Sequence, residues 1–197
     1  VVESGTKYLC GHNDVICGFL AVQDADSDLA KEIELLVKSE GPNLSPMDAW
    51  LMLRSLKTLG VRVERQAESA LVIAEWLRTL PEVTEVYYAG LPDHPQYALQ
   101  KSQSTGSGGM ISFKVKTAEI AQNVLAHLRL IAFAESLGGV ESLLTYPIVQ
   151  THAEMPQDLI KRTGLDDRLL RLSVGLEDVE DLKEDLEQAL KKATQEG

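Results

Sequence analysis

The chain has 197 residues, 44% hydrophobic and 25% charged, enough for one good-sized domain or for one domain with part of another. A formal charge of −11 argues against nucleic acid as a partner, because phosphate binding draws on an excess of Lys and Arg. No apolar run approaches the roughly 20 residues that cross a bilayer, and Val1-Val2-Glu3-Ser4 does not read as a signal peptide, so the expectation is a cytoplasmic protein.

Val1 to Asp24 is rich in glycine and short apolar runs, and Gly18-Phe19-Leu20-Ala21-Val22 reads as a buried strand. A strand opening with an apolar pair at the first residue is expected at the edge of a sheet that continues elsewhere, in a longer polypeptide. Cys10, His12 and Cys17 invite a metal reading. Their spacing is too wide for a zinc-type Cys pair and a fourth ligand is not evident, so the thiols read as ordinary buried ones and no metal is expected.

Ser45-Pro46-Met47-Asp48 is a helix start, with Ser as the cap, Pro in the first turn and an acid after it. The helical pattern runs on through Trp50, Leu53, Leu56, Gly60 and Val63, then Ala67, Ala70, Leu71, Ala74 and Leu77, until Pro81 stops it. Gly60 predicts a bend or close packing. Trp50 and Trp76 read as core residues.

Val83 to Ala89 predicts a strand, Gly90-Leu91-Pro92-Asp93 a turn, and Gln96 to Ser104 a short helix. A Gly-rich loop, Thr105 to Gly109, leads into the strand Met110 to Val115. Thr117 caps a helix holding Ile120, Val124, Leu125 and Leu128, with His127 as a surface or packing residue, and Ile131 to Ala134 predicts a further strand. Leu169 to Leu176 is a strand, followed by a helix whose Val179, Leu182, Leu186 and Leu190 form an apolar stripe. Glu187 and Lys191 form an i,i+4 pair. The fold class is α/β, with a small, mostly antiparallel sheet covered by helices.

Chemistry concentrates in Ser4-Gly5-Thr6-Lys7-Tyr8-Leu9-Cys10-Gly11-His12-Asn13-Asp14. A primary amine stands beside two hydroxyls and a glycine on a loop after a strand. A lysine amine held neutral can form a Schiff base with an aldehyde cofactor, and nearby hydroxyls can donate to that cofactor's phosphate. Spacing alone leaves this string readable as a solvated loop.

The stretch resembles the cofactor-lysine signature of the Cys/Met-metabolism family of pyridoxal-phosphate enzymes: cystathionine β-lyases, γ-lyases and γ-synthases, and methionine γ-lyases. Gly5 stands where the family commonly has Ala. Further blocks follow in family order: Leu56-Lys57-Thr58-Leu59 with Arg62, Val86 to Pro92 with His94-Pro95, Gly108 to Phe113, Ala134 to Ser142, Thr151-His152-Ala153, and Leu170 to Asp178. Leu144-Thr145-Tyr146-Pro147 with Gln150 to Glu154 resembles bacterial cystathionine β-lyases more than γ-synthases.

The resemblance implies the aspartate-aminotransferase-like fold (fold type I). Residues 1–44 would be the end of the large cofactor domain with its lysine, 45–80 a long connecting helix, and 81–197 the small C-terminal α/β domain. It implies that Lys7 carries pyridoxal 5'-phosphate covalently and that Ser4 and Thr6 hold its phosphate. It implies that Arg171 grips the substrate α-carboxylate, where the residue alone would read as a surface ion pair. Ser136 would lie beside the lysine and that carboxylate. Glu135 stays open: an acid engaging a distal substrate amine, as in γ-type enzymes, or a solvent-facing acid. His12, His94 and His152 receive no catalytic role.

The implied function is β-elimination from cystathionine, a small amino-acid substrate, with a γ-lyase or γ-synthase as the alternative. From another class, the chain would be a non-catalytic assembly module. Family members are about twice this length and assemble as tetramers, dimers of dimers. The chain is therefore expected to need a missing half, and to be inactive alone.

Overall fold

A computed structural model describes residues 1–150, 159–160, 162 and 165–196. The block Thr151-His152-Ala153, with Glu154, lies outside the described residues. Three helix starts are closed by side-chain caps: Ser27 accepts from the Ala30 N–H, Ser45 from Asp48 and Thr117 from Ile120. Each supplies an acceptor to a backbone donor that the first helical turn leaves unpaired.

The chain folds as two compact units, Val1–Leu59 and Gly60–Gly197. In the first, β1 (Val2–Ser4) pairs antiparallel with β2 (Gly18–Leu20), and a single π-helical turn, Gly5–Leu9, leaves the end of β1. α1 (Asp28–Glu40) ends at Gly41, whose φ of 73° suits a residue without Cβ, and α2 (Pro46–Leu56) follows. A small core joins Cys10, Val15 and Met52, with Leu9, Cys17, Leu44 and Leu51 against it.

Three expectations change in this unit, and one helix is new. The strand at Gly18 is exposed at all three residues, because a ribbon of two three-residue strands has little to bury it. The helix from Pro46 ends at Leu56 and a new one, α3 (Leu59–Leu77), starts three residues later. The break falls at Lys57–Thr58 rather than at Gly60: Thr58 occupies the Ser55 carbonyl with both its N–H and its hydroxyl, each at 3.1 Å. That side-chain bond takes an acceptor the helix needs in order to continue. The expected face is also inverted, since Trp50, Leu53 and Leu56 are exposed and Met52 and Ser55 are buried. Finally, α1 carries no buried residue and gave no core stripe to read.

The second unit is built on a five-stranded sheet of order β3-β4-β7-β6-β5. Its strands are β3 (Val83–Tyr87), β4 (Met110–Val115), β5 (Ala132–Phe133), β6 (Leu143–Thr145) and β7 (Leu169–Ser173). All pairings are antiparallel except β5 with β6. α3, α4 (Tyr97–Gln103), α5 (Ala118–His127) and α6 (Val179–Glu196) complete it. Ile111, Phe113, Leu144, Leu170 and Leu172 from the sheet join Ile73, Leu77, Leu182, Leu186 and Leu190 from the helices in one core. The mostly antiparallel, helix-covered sheet is the expected one; β6, missed in the sequence, is buried at every residue and shows no alternation. Trp76 packs against this core, half-buried under the Lys183 ammonium.

A buried carboxylate organises the entry to β5. Asp185 of α6 accepts from the N–H groups of Arg129, Leu130 and Ile131, each at 2.9 Å. Those three donors would otherwise be unpaired between α5 and β5.

Candidate functional site

In the first unit, Ser4, Thr6 and Lys7 stand within four residues at the end of β1. The turn that carries them closes with i→i+5 geometry, Cys10 N–H to Gly5 O at 2.9 Å, and Gly11 N–H bonds Lys7 O at 2.7 Å. Lys7 leaves helical geometry inside this turn, at φ −90° and ψ −123°. Single π-helical turns of this kind are frequent at functional sites.

The turn is stapled to Cys17. Gly5 and Thr6 N–H groups both bond the Cys17 carbonyl, at 2.9 and 3.2 Å. The Thr6 hydroxyl donates to the same carbonyl at 3.1 Å and accepts from the Cys17 N–H at 2.9 Å. Gly5 makes the close approach possible: a Cβ there would collide with Cys17 Sγ and lie 2.7 Å from the Phe19 ring.

The donor set fits an aldehyde cofactor with a phosphate. Lys7 supplies the amine, and Ser4, exposed and without a capping hydrogen bond, offers a hydroxyl at the mouth of the turn. Thr6 has spent its one proton on Cys17 O and keeps a single free acceptor site. A phosphate dianion only accepts, so a hydrogen bond from Thr6 to one would require that proton to turn away from Cys17 O.

Cys10 lies behind the turn. Burial, then its hydrogen bond to Asp14 at 3.1 Å, raises its pKa, and a thiol held protonated is a poor metal ligand and a poor nucleophile.

In the second unit, Arg171 lies on β7, opposite Ser112 of β4 and Thr145 of β6. Its Nη2 donates to the Glu135 carbonyl at 2.8 Å and to the Thr145 hydroxyl at 3.2 Å. Its Nε is buried and has no hydrogen-bond partner. Burial lowers the guanidinium pKa and the nearby Glu135 charge opposes the shift, yet an arginine stays charged at any physiological pH. The side chain is therefore a half-buried cation fixed by neutral oxygens, with an unused donor beside the fixed one. That suits a small carboxylate.

Glu135 and Ser136 lie just after β5; the Glu135 side chain is exposed and Ser136 is half-buried. Thus Ser4, Thr6 and Lys7 come together in one turn, and Glu135, Ser136 and Arg171 around one strand end. Sequence reasoning missed Cys17 and Thr145, which hold Thr6 and Arg171. Cys17 lies outside the motif blocks and Thr145 sits in one without an assigned role; the chain-distant contacts, 11 and 26 residues apart, reveal what they hold.

Comparison with known proteins identifies the family. A family model described as "Cys/Met metabolism PLP-dependent enzyme" matches residues 1–191. The chain is 46% identical over 191 residues to cystathionine beta-lyase MetC of Bacillus subtilis (strain 168), covering 97% of this chain and 48% of that protein. It is 47% identical over 191 residues to cystathionine gamma-lyase of Rattus norvegicus, covering 96% and 48%. Among solved structures, cystathionine gamma-lyase from Lactobacillus plantarum complexed with L-serine superposes with a TM-score of 0.92 at 38% identity, over 98% of this chain and 50% of that one. Cystathionine gamma synthase from Xanthomonas oryzae pv. oryzae, in complex with aminoacrylate and cysteine, gives 0.92 at 41%, again over 98% and 50%. The chain spans about half the length of the curated relatives it matches. Among the described residues, no helix is long and apolar enough to cross a membrane.

Proposed function

This chain belongs to the Cys/Met metabolism family of PLP-dependent enzymes, and on that premise we propose that it serves β-elimination from cystathionine, which with one water gives homocysteine, pyruvate and ammonia. Lys7 holds the cofactor covalently through Nζ, and Ser4 and Thr6 face its phosphate. When bound, the cofactor supplies an electron sink for charge developing at the substrate α-carbon.

The remaining work falls to the chain's own groups. Lys7 Nζ would be released when the substrate amine takes its place on the cofactor, and as a free amine it is the base that takes the α-proton. Arg171 binds the α-carboxylate and sets the rotation of the substrate, so that the bond to be broken is correctly oriented, with Ser136 beside it. The observation that carries this reading is the Arg171 guanidinium, anchored at Nη2 by Glu135 and Thr145 while Nε is buried without a partner.

A second reading, γ-elimination or γ-replacement, rests on Glu135. Its carboxylate is exposed next to Ser136, where it can meet a distal substrate amine, and γ-lyases are as similar to this chain as β-lyases. Product analysis separates the two: pyruvate with homocysteine supports β-elimination, and 2-oxobutyrate with cysteine overturns it in favour of γ-cleavage. Assembly as a dimer of dimers belongs to the same proposal and is tested by light scattering. The 197-residue chain alone is expected not to turn over; an intact mass near 21.6 kDa together with turnover would contradict this.

A further inference from the structure

We infer that Gln66 is a positioning residue for the substrate-carboxylate site, acting through the turn that carries Glu135 and Ser136. The inference rests on the assignment of Arg171 as the carboxylate ligand and extends it to α3.

Gln66 lies on α3 with no exposed surface, in a unit whose core is otherwise aliphatic at most of its buried positions. Its Nε2 donates to the Gly139 carbonyl at 2.7 Å, across 73 residues of sequence. A carbonyl can only accept, so the nitrogen must face Gly139, and the amide oxygen is turned the other way. There it is buried with no partner. An unpaired buried acceptor works against stability, and an apolar side chain of similar volume would avoid that cost. Stability alone therefore does not account for an amide here. The contact it makes does.

That contact and two others hold a single five-residue turn, Glu135 to Gly139. Arg171 Nη2 bonds the Glu135 carbonyl at 2.8 Å. The Ser173 hydroxyl, buried on β7 two residues beyond Arg171, accepts from the Gly138 N–H at 2.8 Å. Gln66 fixes the far end at Gly139, next to Gly138 with its φ of 77°. Two of the three ties come from β7 and therefore hold the turn to one strand. Gln66 ties it to α3 as well, which limits how far the turn can lift from β7. The Glu135 carbonyl is an anchor of the guanidinium, so a turn free to lift changes where Nε and the remaining donors point. Donors that must meet both oxygens of a carboxylate tolerate little such displacement.

The test is Gln66→Met in the full-length, pyridoxal-phosphate-loaded enzyme that carries this sequence, alone and combined with Arg171→Lys. Met keeps the length and volume, loses the donor and removes the unpaired oxygen. The expected result is a KM for the amino-acid substrate raised about five- to tenfold with kcat changed less than about twofold. The thermal midpoint should be unchanged or higher, and hydrogen exchange at Gly138 and Gly139 faster. In the Arg171→Lys background, Gln66→Met should raise KM by less than about twofold further, because the two act through one group. Gln66→Leu repeats the measurement if the Met variant does not fold.

An unchanged KM in Gln66→Met, while Arg171→Lys raises it, overturns this inference and leaves the carboxylate assignment standing. An Arg171→Lys enzyme with an unchanged KM overturns that assignment and the inference together. A fall in thermal midpoint with kcat and KM both altered makes Gln66 a structural residue and also overturns it.

Discussion

Arg171 hangs from the backbone carbonyl of Glu135, Nη2 to oxygen at 2.8 Å, and the Glu135 side chain is not part of that bond. The anchor and the charge at position 135 can therefore be varied separately. Glu135→Gln keeps the carbonyl, so KM for a substrate α-carboxylate should stay within about fivefold, the range of an exposed charge. Arg171→Lys replaces a planar fork with a single ammonium and should cost about 2 kcal/mol, close to thirtyfold in KM. Steady-state kinetics on the two variants check this. If Glu135→Gln instead changes the ratio of pyruvate to 2-oxobutyrate, the acid reads the distal end of the substrate.

Gly5 and Cys17 form a matched pair in the cofactor-lysine turn. A Cβ at position 5 would collide with Cys17 Sγ, so Gly5→Ala should destabilise by about 1–3 kcal/mol through overpacking. Cys17→Ala removes the nearer colliding atom and leaves the Phe19 ring edge, 2.7 Å away, to shift, so the double variant should recover at least half of the loss. Urea midpoints of the two single variants and the double variant measure the coupling. Additive losses would show that the side chains do not meet.

The sequence could place most elements of the second unit but few of its contacts. β4, β7 and α6 are legible because each has one buried face, so the apolar spacing follows the period of the element. α1 is illegible for the opposite reason: Leu29, Leu35 and Leu36 are exposed, and no apolar stripe marks a core side. Ser4, Thr6, Lys7, Glu135, Ser136 and Arg171 were readable because they sit in motif blocks. Cys17 and Gln66 lie outside those blocks, and Thr145 and Ser173 lie inside them without a role assigned there, since a polar residue gains its role from a partner that folding supplies. Gly5 appeared as a mild departure from a family pattern; the structure gives it a physical reason in the bulk of Cys17.

A second electrostatic group, away from these sites, predicts a pH dependence. Lys114 is nearly buried and bonds Asp166 at 3.0 Å, and Asp166 also receives Arg168 at 2.9 Å. Burial raises the Asp166 pKa, but the bonds from Arg168 and Lys114 outweigh it and hold the carboxyl below its ordinary value. Its contribution is present above a pH of about 4 and is lost as pH falls through the depressed value. Burial lowers the Lys114 pKa, and Asp166 more than reverses this. That contribution is complete below a pH of about 10.5 and is lost as pH rises through the raised value. Urea midpoints should therefore fall at both extremes, and Lys114→Met should flatten both limbs. Unchanged limbs in that variant would remove the pair from the account.

The central claim is that Lys7 carries the cofactor, and the most direct measurement is borohydride reduction of the pyridoxal-phosphate-loaded enzyme followed by peptide mapping. The account predicts a single reduced phosphopyridoxyl adduct on the peptide containing Lys7, absent from Lys7→Ala. An adduct on any other lysine, or none at all, would contradict it.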